Sequence, residues 1–184
     1  MDYKKTLYKY CKNKKVDFGT AHNNPHKLKY KYFIIIPAYS EYEYLFKTLK
    51  TINNQNLSLL DDLLVVVVIN NSNKDNKNII NNNILTYNTL IKKKYKYEFI
   101  AIDSFSKNFA LDDQIAGVGM ARKIGMDYCI QYSFQDSLFC SLDSDTLIAD
   151  NYLEVVSNQF KNNKFSTAVI NFTHQLNDTP KINT

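Results

Sequence analysis

The stretch Leu63-Leu64-Val65-Val66-Val67-Val68-Ile69 decides the fold. It is a continuous apolar run that contains four consecutive valines, and β-branched side chains favour extended backbone. A strand that is apolar at every position, rather than at alternate positions, is typical of a parallel sheet covered by helices on both faces. We therefore predict that this run is a central strand of an α/β domain.

Strand and helix patterns alternate around that run. Upstream, Tyr32–Ile36 is a short β-branched strand that we expect Pro37 to end, because proline cannot donate to a sheet. We expect a helix to follow, starting at the capping-box spacing Ser40-x-x-Glu43. A spacing of three to four residues predicts its apolar face: Leu45, Leu49 and Ile52.

Downstream, the same alternation continues, so the fold class we predict is a doubly wound, mostly parallel α/β sheet with helices on both faces. A second helix would present Ile80, Ile84, Tyr87 and Ile91 on its apolar side. The remaining predicted elements are the strand Phe99–Ile102, a helix over Ala116–Tyr132, the strand Leu138–Leu142, a short helix over Asn151–Phe160 and a strand near Thr167–Phe172.

Composition limits the class of protein. With 184 residues, 45% of them hydrophobic, the chain can bury one good core. No apolar run approaches the roughly 18 residues of a membrane span, and the lysine-rich start is unlike a secretory signal, so we expect a cytoplasmic protein. Three cysteines without C-x-x-C spacing and three scattered histidines indicate neither a disulfide framework nor a zinc site.

The positive charge is concentrated at the N-terminus. Residues 1–31 hold nine lysines and two aspartates, a balance of +7, so the rest of the chain carries −2 of the net +5. We interpret residues 1–31 as a basic extension and residues 32–184 as the domain. A nucleic-acid partner is not indicated for a domain that is not basic. The extension is either a solvated helix or arm, or a peripheral contact with anionic lipid or a partner.

Polar residues follow the ends of the predicted strands. In doubly wound sheets ligands bind at the carboxyl ends of the strands, so these residues should converge. The most informative set is Asp143-Ser144-Asp145, two carboxylates that flank one residue directly after a strand. Neighbouring negative charges favour a cation, and oxygen ligands suit Mg²⁺ or Mn²⁺ shared with a diphosphate. Alone, a D-x-D turn is common on protein surfaces.

Four motifs together resemble family 2 glycosyltransferases with the GT-A fold. They are Ile34-Ile35-Ile36-Pro37-Ala38-Tyr39-Ser40-Glu41, the run from Val67 to Asp75, Gly117-Val118-Gly119-Met120-Ala121-Arg122-Lys123-Ile124-Gly125, and Leu142-Asp143-Ser144-Asp145. Their order and spacing match that family over about Phe33 to Phe172. A dinucleotide fingerprint is rejected, because Gly117-x-Gly119-x-x-Arg122 lacks the third glycine and no strand directly precedes it.

The resemblance implies roles for individual residues. Pro37, Ala38, Tyr39 and Glu41 would cup the base and ribose of a nucleotide-sugar donor. Asn70 stands where the family commonly places an aspartate against the base. An amide can both donate and accept a hydrogen bond, so Asn70 could bind the edge of a uracil, but it favours uridine over other nucleotides less strictly than an aspartate would. Arg122 would approach the base or diphosphate, unless it is a solvent-facing helix arginine. Asp143 and Ser144 would contact the donor, and Asp145, with Asp143, would ligate the metal.

The same resemblance implies an inverting transfer of the sugar to a glycan or lipid-linked acceptor hydroxyl. The general base of such enzymes comes well after the D-x-D motif, and the only acid here past Phe172 is Asp178, which we interpret as a turn residue. We therefore expect the base beyond Thr184, in a domain truncated on its acceptor side. The alternative is a catalytically incompetent nucleotide-sugar-binding module. A sugar-1-phosphate nucleotidyltransferase ranks last, because Pro37 to Glu41 holds no glycine- and basic-rich loop.

Overall fold

The computed structural model describes residues 2–163 and 166–171. Strands and helices alternate along them, as the sequence predicts. The strands are β1 (Thr20–Ala21), β2 (Tyr30–Ala38), β3 (Leu63–Asn70), β4 (Glu98–Ser104) and β5 (Ser133–Ser141). The helices are α1 (Tyr3–Asn13), α2 (Tyr42–Ile52), α3 (Leu57–Leu60), α4 (Lys77–Leu90), α5 (Val118–Ile130) and α6 (Tyr152–Asn162).

The strands form one sheet in the order β1-β4-β3-β2-β5. All pairs are parallel except β1 with β4, where Thr20 lies opposite Asp103. β3 occupies the centre of the sheet, and all eight of its residues are buried. The predicted fold class, a doubly wound and mostly parallel α/β sheet, is confirmed.

Alternate side chains of the strands build two cores, one on each face of the sheet. Ile34 and Val65 point to the face covered by α2, α4 and α6, whose contributions include Leu49 and Leu153. Ile35 and Val66 point to the opposite face, which α5 covers with side chains such as Ile124. Burial on both faces explains why β2 and β3 are apolar without alternation.

The sequence placed the end of β2 at Pro37, and this was wrong. The strand continues through Pro37, which pairs with Val68 of β3, to Ala38. The carbonyl of Ile35 accepts a hydrogen bond from the Leu142 N–H at 3.0 Å, on the side of β5. Alternate residues of a strand direct their backbone groups to the same neighbouring strand, so the nitrogen of Pro37 also faces β5. The ladder with β5 ends at Ile35, so the missing N–H of Pro37 removes no ladder bond.

The predicted capping box at the start of α2 is absent. The N-cap is Glu41, whose side chain makes no capping hydrogen bond. Ser40 has a left-handed backbone with φ of 58°, whereas a capping serine needs an extended one. Asn83 and Asn82 replace the box, because their carbonyl oxygens accept the N–H groups of Ser40 at 2.9 Å and Tyr42 at 3.3 Å. The apolar face of Leu45, Leu49 and Ile52 is buried as predicted.

The buried face of α4 also differs from the prediction. Of the predicted face, Tyr87 is half-buried and packs against the core, and Ile80 is half-buried, but Ile84 and Ile91 remain exposed. The fully buried positions are Asn83, Thr86 and Leu90. The helix is rotated because Asn83 is needed on the inside. Its amide donates to the carbonyl of Asn70 at 3.1 Å and to Asn71 at 3.0 Å. Hydrogen bonding by one polar residue overrides the apolar spacing.

Helix α5 lies close to the sheet because of one glycine. A Cβ added at Gly125 would come within 2.6 Å of Ile35, so only glycine permits this approach. At Gly117 and Gly119 an added Cβ would meet nothing within 4 Å, so these two glycines do not determine the approach of α5 to the sheet. Gly117 instead precedes α5 with φ of 146°, a backbone angle that side chains disfavour.

The last described residues add less to the sheet than predicted, whereas the N-terminal segment adds β1 to it. Residues 166–171 form no strand, and Phe172, His174 and Asp178 lie outside the described residues. At the other end, α1 begins at Asp2, whose carboxylate accepts the N–H groups of Lys4 and Lys5. None of the helices within residues 2–163 is long and apolar enough to cross a membrane.

Candidate functional site

A cleft of about 580 Å³ lies at the carboxyl edge of the sheet, where the loops after β2, β3 and β5 meet the start of α5. This is the edge at which doubly wound sheets bind ligands. Eight of the nine residues that the sequence singled out line it. They are Pro37, Tyr39, Glu41, Asn70, Arg122, Asp143, Ser144 and Asp145.

Ala38 is the ninth, and it does not line the cleft. Its side chain is 1% exposed and packs in the core on the α2 side. Neighbouring residues of an extended strand point to opposite faces, so Pro37 and Tyr39 face the cleft while Ala38 faces inward. Asp103, another strand-end residue, also turns away from the cleft. Its carboxylate accepts the N–H groups of Phe105 and Ser106 and caps a turn.

The D-x-D loop is fixed to the core by helix α2 and by the turn that follows it. The hydroxyl of Thr48 donates to the carbonyl of Ser144 at 2.7 Å, and the amide of Gln55 donates to the carbonyl of Ala149 at 2.8 Å. Ser144 is consequently buried between its two neighbours, whereas Asp143 and Asp145 are exposed. The alternation places both carboxylates on the open side of the loop. The sequence predicted this loop but not its anchors, because Thr48 and Gln55 lie about 95 residues upstream.

Three carboxylates lie near one another on this side of the cleft. Burial raises the pKa of Glu41 above its ordinary value, and the negative charges of Asp145 and Asp143 raise it further. A cation among the three would relieve this repulsion. Glu41 therefore belongs electrostatically to the acidic end of the cleft, rather than only to the loop around a base.

Arg122 reaches one of these carboxylates, Asp143, from α5. Its guanidinium donates to Oδ1 of Asp143 and forms an ion pair with it. Its Nε is buried, and no acceptor among the described residues reaches it. Arg122 is the only arginine among the 23 cationic Lys and Arg residues of the chain. A guanidinium can hold two oxygen atoms side by side, which an ammonium cannot do, so this position has a use that lysine does not meet.

Another wall of the cleft holds two aspartates to which the sequence assigned no role: Asp75, which ends one of the four motifs, and Asp113, which lies in none of them. Asp75 accepts the hydroxyl of Tyr39 at 2.9 Å and the N–H of Ser72 at 2.7 Å. Asp113 accepts the hydroxyl of Ser72 at 2.8 Å and the ammonium of Lys74 at 3.1 Å, and these two contacts lower its pKa. Hydrogen bonds thus connect three loops into one wall and hold the hydroxyl end of the Tyr39 side chain, which is 44% exposed.

Asp113 reaches the cleft through an isolated parallel bridge. The N–H of Leu111 donates to the carbonyl of Asn71 at 3.0 Å, and the N–H of Asn73 donates to the carbonyl of Leu111 at 2.8 Å. This bridge brings the irregular segment before α5 against the loop after β3. A polar stretch without periodicity carries no sequence signal for such a contact.

Asn70 ends β3 at the floor of the cleft. The residue is 2% exposed, and its Oδ1 is buried without a donor in the described part of the chain. A buried acceptor that lacks a donor is unfavourable by about 1–3 kcal/mol. Because Asn70 lines the cleft, its side-chain amide lies beside any ligand that binds there.

The donor set fits a divalent metal that a ligand shares. Within residues 2–163 and 166–171, no group of three His, Cys, Asp or Glu side chains is arranged to hold a metal ion. Mg²⁺ is usually held by one or two carboxylates together with substrate phosphates, rather than by a cage of protein ligands. Asp143 and Asp145, in an acidic cleft that raises the pKa of Glu41, meet that description.

Comparisons with known proteins identify the fold. No family model matches the chain, and no curated protein sequence matches it. The structure is similar to that of S. aureus TarS residues 1–349 in complex with UDP-GlcNAc, at 19% identity and a TM-score of 0.50, over 72% of this chain and 31% of that chain. A longer TarS structure matches at 18% identity and a TM-score of 0.46, over 72% and 20% of the two chains.

The chain thus spans about a third of the length of the TarS fragment that it matches. At this level of identity the likeness shows the fold, which is glycosyltransferase-like and Rossmann-like, and consistent with the five-stranded sheet.

Proposed function

We propose that this chain is the nucleotide-sugar-binding part of a glycosyltransferase of the family 2 type, with the GT-A arrangement. One observation carries the proposal. A single cleft at the carboxyl edge of the sheet gathers an exposed aromatic ring, a buried amide with an unused acceptor, the only arginine of the chain and a pair of carboxylates. These groups match, in order, a base, its hydrogen-bonding edge, a diphosphate and a metal.

The wall of Tyr39 and the floor of Asn70 would receive the base and ribose. The Tyr39 ring is held by Asp75, so a base can stack on it without first ordering it. Oδ1 of Asn70 would accept an N–H group from the edge of the base, and a uracil offers one. UDP is therefore the nucleotide that we propose, and because TarS was crystallised with UDP-GlcNAc, that donor is the first to test.

The diphosphate would lie between Arg122 and the start of α5. Gly117 provides no side-chain cap, so the first N–H groups of this 13-residue helix are available to an anion. Arg122 would bind phosphate oxygens with its guanidinium, whose contact in the structure is the carboxylate of Asp143. When a donor binds, Arg122 would thus exchange the carboxylate of Asp143 for a phosphate of the donor.

Asp143 and Asp145 would hold the metal, Mn²⁺ or Mg²⁺. When bound, such an ion neutralises the negative charge that develops on a departing nucleoside diphosphate. The residues of the chain position it, since Thr48 and Gln55 hold the D-x-D loop in place. Glu41 adds negative charge beside it and increases the attraction for a cation.

The reaction that we propose is an inverting transfer to a glycan or lipid-linked acceptor hydroxyl. A second candidate, a nucleotide-sugar-binding module without transfer activity, is supported by the specialisation of the cleft for a donor. Asp75 and Asp113 are hydrogen-bonded in the wall of the cleft, and Glu41, Asp143 and Asp145 form its acidic set. None of these carboxylates is therefore assigned to the activation of an acceptor. The two candidates differ in turnover. Because the general base is expected beyond Thr184, the test needs a protein that includes a segment after Thr184. Incubated with UDP-GlcNAc, Mn²⁺ and an acceptor glycan, that protein would release UDP only under the first candidate.

Calorimetry with UDP tests the donor site. We expect binding to require Mn²⁺ or Mg²⁺ and to weaken by about tenfold or more, or about 1.4 kcal/mol, in Asp145→Ala. Asp150→Ala is the matched control, because Asp150 is an exposed acid of the same loop that does not line the cleft. Equal affinity in the wild type and Asp145→Ala would refute the metal assignment. Absence of UDP binding in both the presence and absence of metal would refute the proposal.

A further inference from the structure

The outer face of α1 is a lysine-rich surface that the donor cleft does not use. Lys4, Lys5, Lys9 and Lys12 all project from it into solvent, and the ring of Tyr8 lies among them with 69% exposure. Residues 3–16 contain no acid. None of these four lysines forms an ion pair within the described residues, so their charge is not neutralised by the chain.

The opposite face of α1 is docked firmly on α5. The hydroxyl of Tyr10 donates to Asp127 at 2.6 Å, and the ammonium of Lys123 donates to both Tyr10 at 2.9 Å and Asp127 at 2.8 Å. The N–H of Val16 donates to the second carboxylate oxygen of Asp127, whose side chain is 1% exposed. The lysines are therefore presented by a fixed helix rather than by a loose arm.

We propose that this face of α1 binds the surface of a membrane that contains anionic lipids. The charges are complementary, because four solvent-facing lysines without ion-pair partners meet anionic headgroups. Tyrosine among lysines suits the boundary between headgroups and acyl chains, where an amphipathic ring has both polar and apolar neighbours. All the cations are lysines, which bind phosphates as point charges without the fork that reads nucleic-acid bases.

The docking of α1 on α5 connects this surface to the cleft. Lys123, which holds Tyr10, is the neighbour of Arg122, which faces the cleft. A membrane bound by α1 would therefore hold the cleft in one orientation relative to the bilayer. This proposal does not depend on what the cleft binds, so it can fail or hold independently of the donor site.

Vesicle co-sedimentation tests the proposal with the full chain. We expect the protein to bind vesicles of phosphatidylcholine with phosphatidylglycerol, and not vesicles of phosphatidylcholine alone. Each lysine near an anionic surface strengthens binding about fivefold, so the triple variant Lys5→Gln, Lys9→Gln and Lys12→Gln should reduce the partition coefficient about 100-fold. Salt should release the wild type, since the Debye length shortens from about 10 Å at 0.1 M to about 3 Å at 1 M.

A matched triple variant, Lys92→Gln, Lys94→Gln and Lys96→Gln, removes the same charge from exposed lysines elsewhere. It should bind within about twofold of the wild type, because the lost charges are remote from the contact. Equal loss in both triple variants, or no preference for anionic vesicles in the wild type, would overturn the proposal. Binding of a single-stranded RNA that is lost in the α1 variant, with vesicle binding unchanged, would overturn it in favour of a nucleic-acid surface. Circular dichroism should show unchanged helix content, since these side chains face solvent.

Discussion

Replacing Asn70 by alanine should weaken the binding of UDP without lowering the stability of the protein. Most substitutions of a 98%-buried polar residue reduce stability, because they break hydrogen bonds. At Asn70 the side-chain acceptor has no donor to lose. The backbone carbonyl of Asn70, which accepts the amide of Asn83, is unaffected by the change.

The expected magnitudes follow from the unused acceptor. Removing Oδ1 relieves a desolvation penalty of about 1–3 kcal/mol. The smaller side chain gives up some packing, but the space opens into the cleft and water can fill it, so we expect a net stabilisation of about 0–1 kcal/mol. For a chain of this size that corresponds to a melting temperature unchanged or raised by up to about 4 °C. Loss of one ligand hydrogen bond, worth about 0.5–1.5 kcal/mol, should weaken UDP binding about two- to tenfold.

Asn83→Ala is the matched comparison, since it makes the same change at a buried amide that is fully used. Asn83 donates to Asn70 and Asn71 and accepts the N–H of Ser40. We expect this variant to lose about 2–4 kcal/mol. Thermal denaturation and calorimetry with UDP measure both quantities in both variants. If Asn70→Ala destabilises as much as Asn83→Ala, the acceptor is not orphaned, and if its UDP affinity equals that of the wild type, the atom does not contact the base.

Three further outcomes are expected at the cleft. Arg122→Lys should weaken UDP binding about tenfold, because an ammonium cannot hold two oxygens as the guanidinium does, and calorimetry would show unchanged affinity if Arg122 faced only Asp143. Tyr39→Phe should keep UDP affinity within about threefold, whereas Tyr39→Ala should lose about tenfold, since stacking on the ring, not the hydroxyl, binds the base. Glu41→Gln should raise stability at neutral pH. The pKa of Glu41 is raised in the folded protein, so above the unfolded pKa of about 4.3 its charged carboxylate lowers the stability of the fold. Below that pH both the folded and the unfolded states are protonated, and the loss of stability disappears. Urea titrations at neutral and acidic pH measure the difference, and an equal gain at both would contradict the charge repulsion.

The sequence predicted the layers of the fold because its strongest signals are local. Four valines in a row define β3, and the polar residues after each strand indicate the functional edge. It failed where a single long-range hydrogen bond decides the structure. Asn83 rotates α4 and replaces the expected capping box of α2, although no pattern around Asn83 marks it as buried.

The residues of the candidate site also fall into those that the sequence could predict and those that depend on long-range contacts. Strand-end residues such as Asp143 and Asp145 could be predicted because the topology brings strand ends together, and Arg122 of α5 was indicated by the family resemblance. Asp113 could not, because it reaches the cleft through the bridge between Ser72 and Leu111, a contact of two irregular segments. Thr48 and Gln55 were also missed, since their anchoring role depends on the distance between α2 and the D-x-D loop in space.

The antiparallel pairing of β1 with β4 sets an order of events during synthesis. Thr20 is translated early, but its partner Asp103 follows 83 residues later. Asp127, which accepts the hydroxyl of Tyr10 in α1, is translated later still. At about 5–20 residues per second, the first segment spends on the order of 10 s on the ribosome without its native neighbours. The part of the chain that is made first therefore completes its contacts only after β2, β3 and β4 have been translated. A ribosome that stalls before Asp127 would display a lysine-rich segment that has not yet docked.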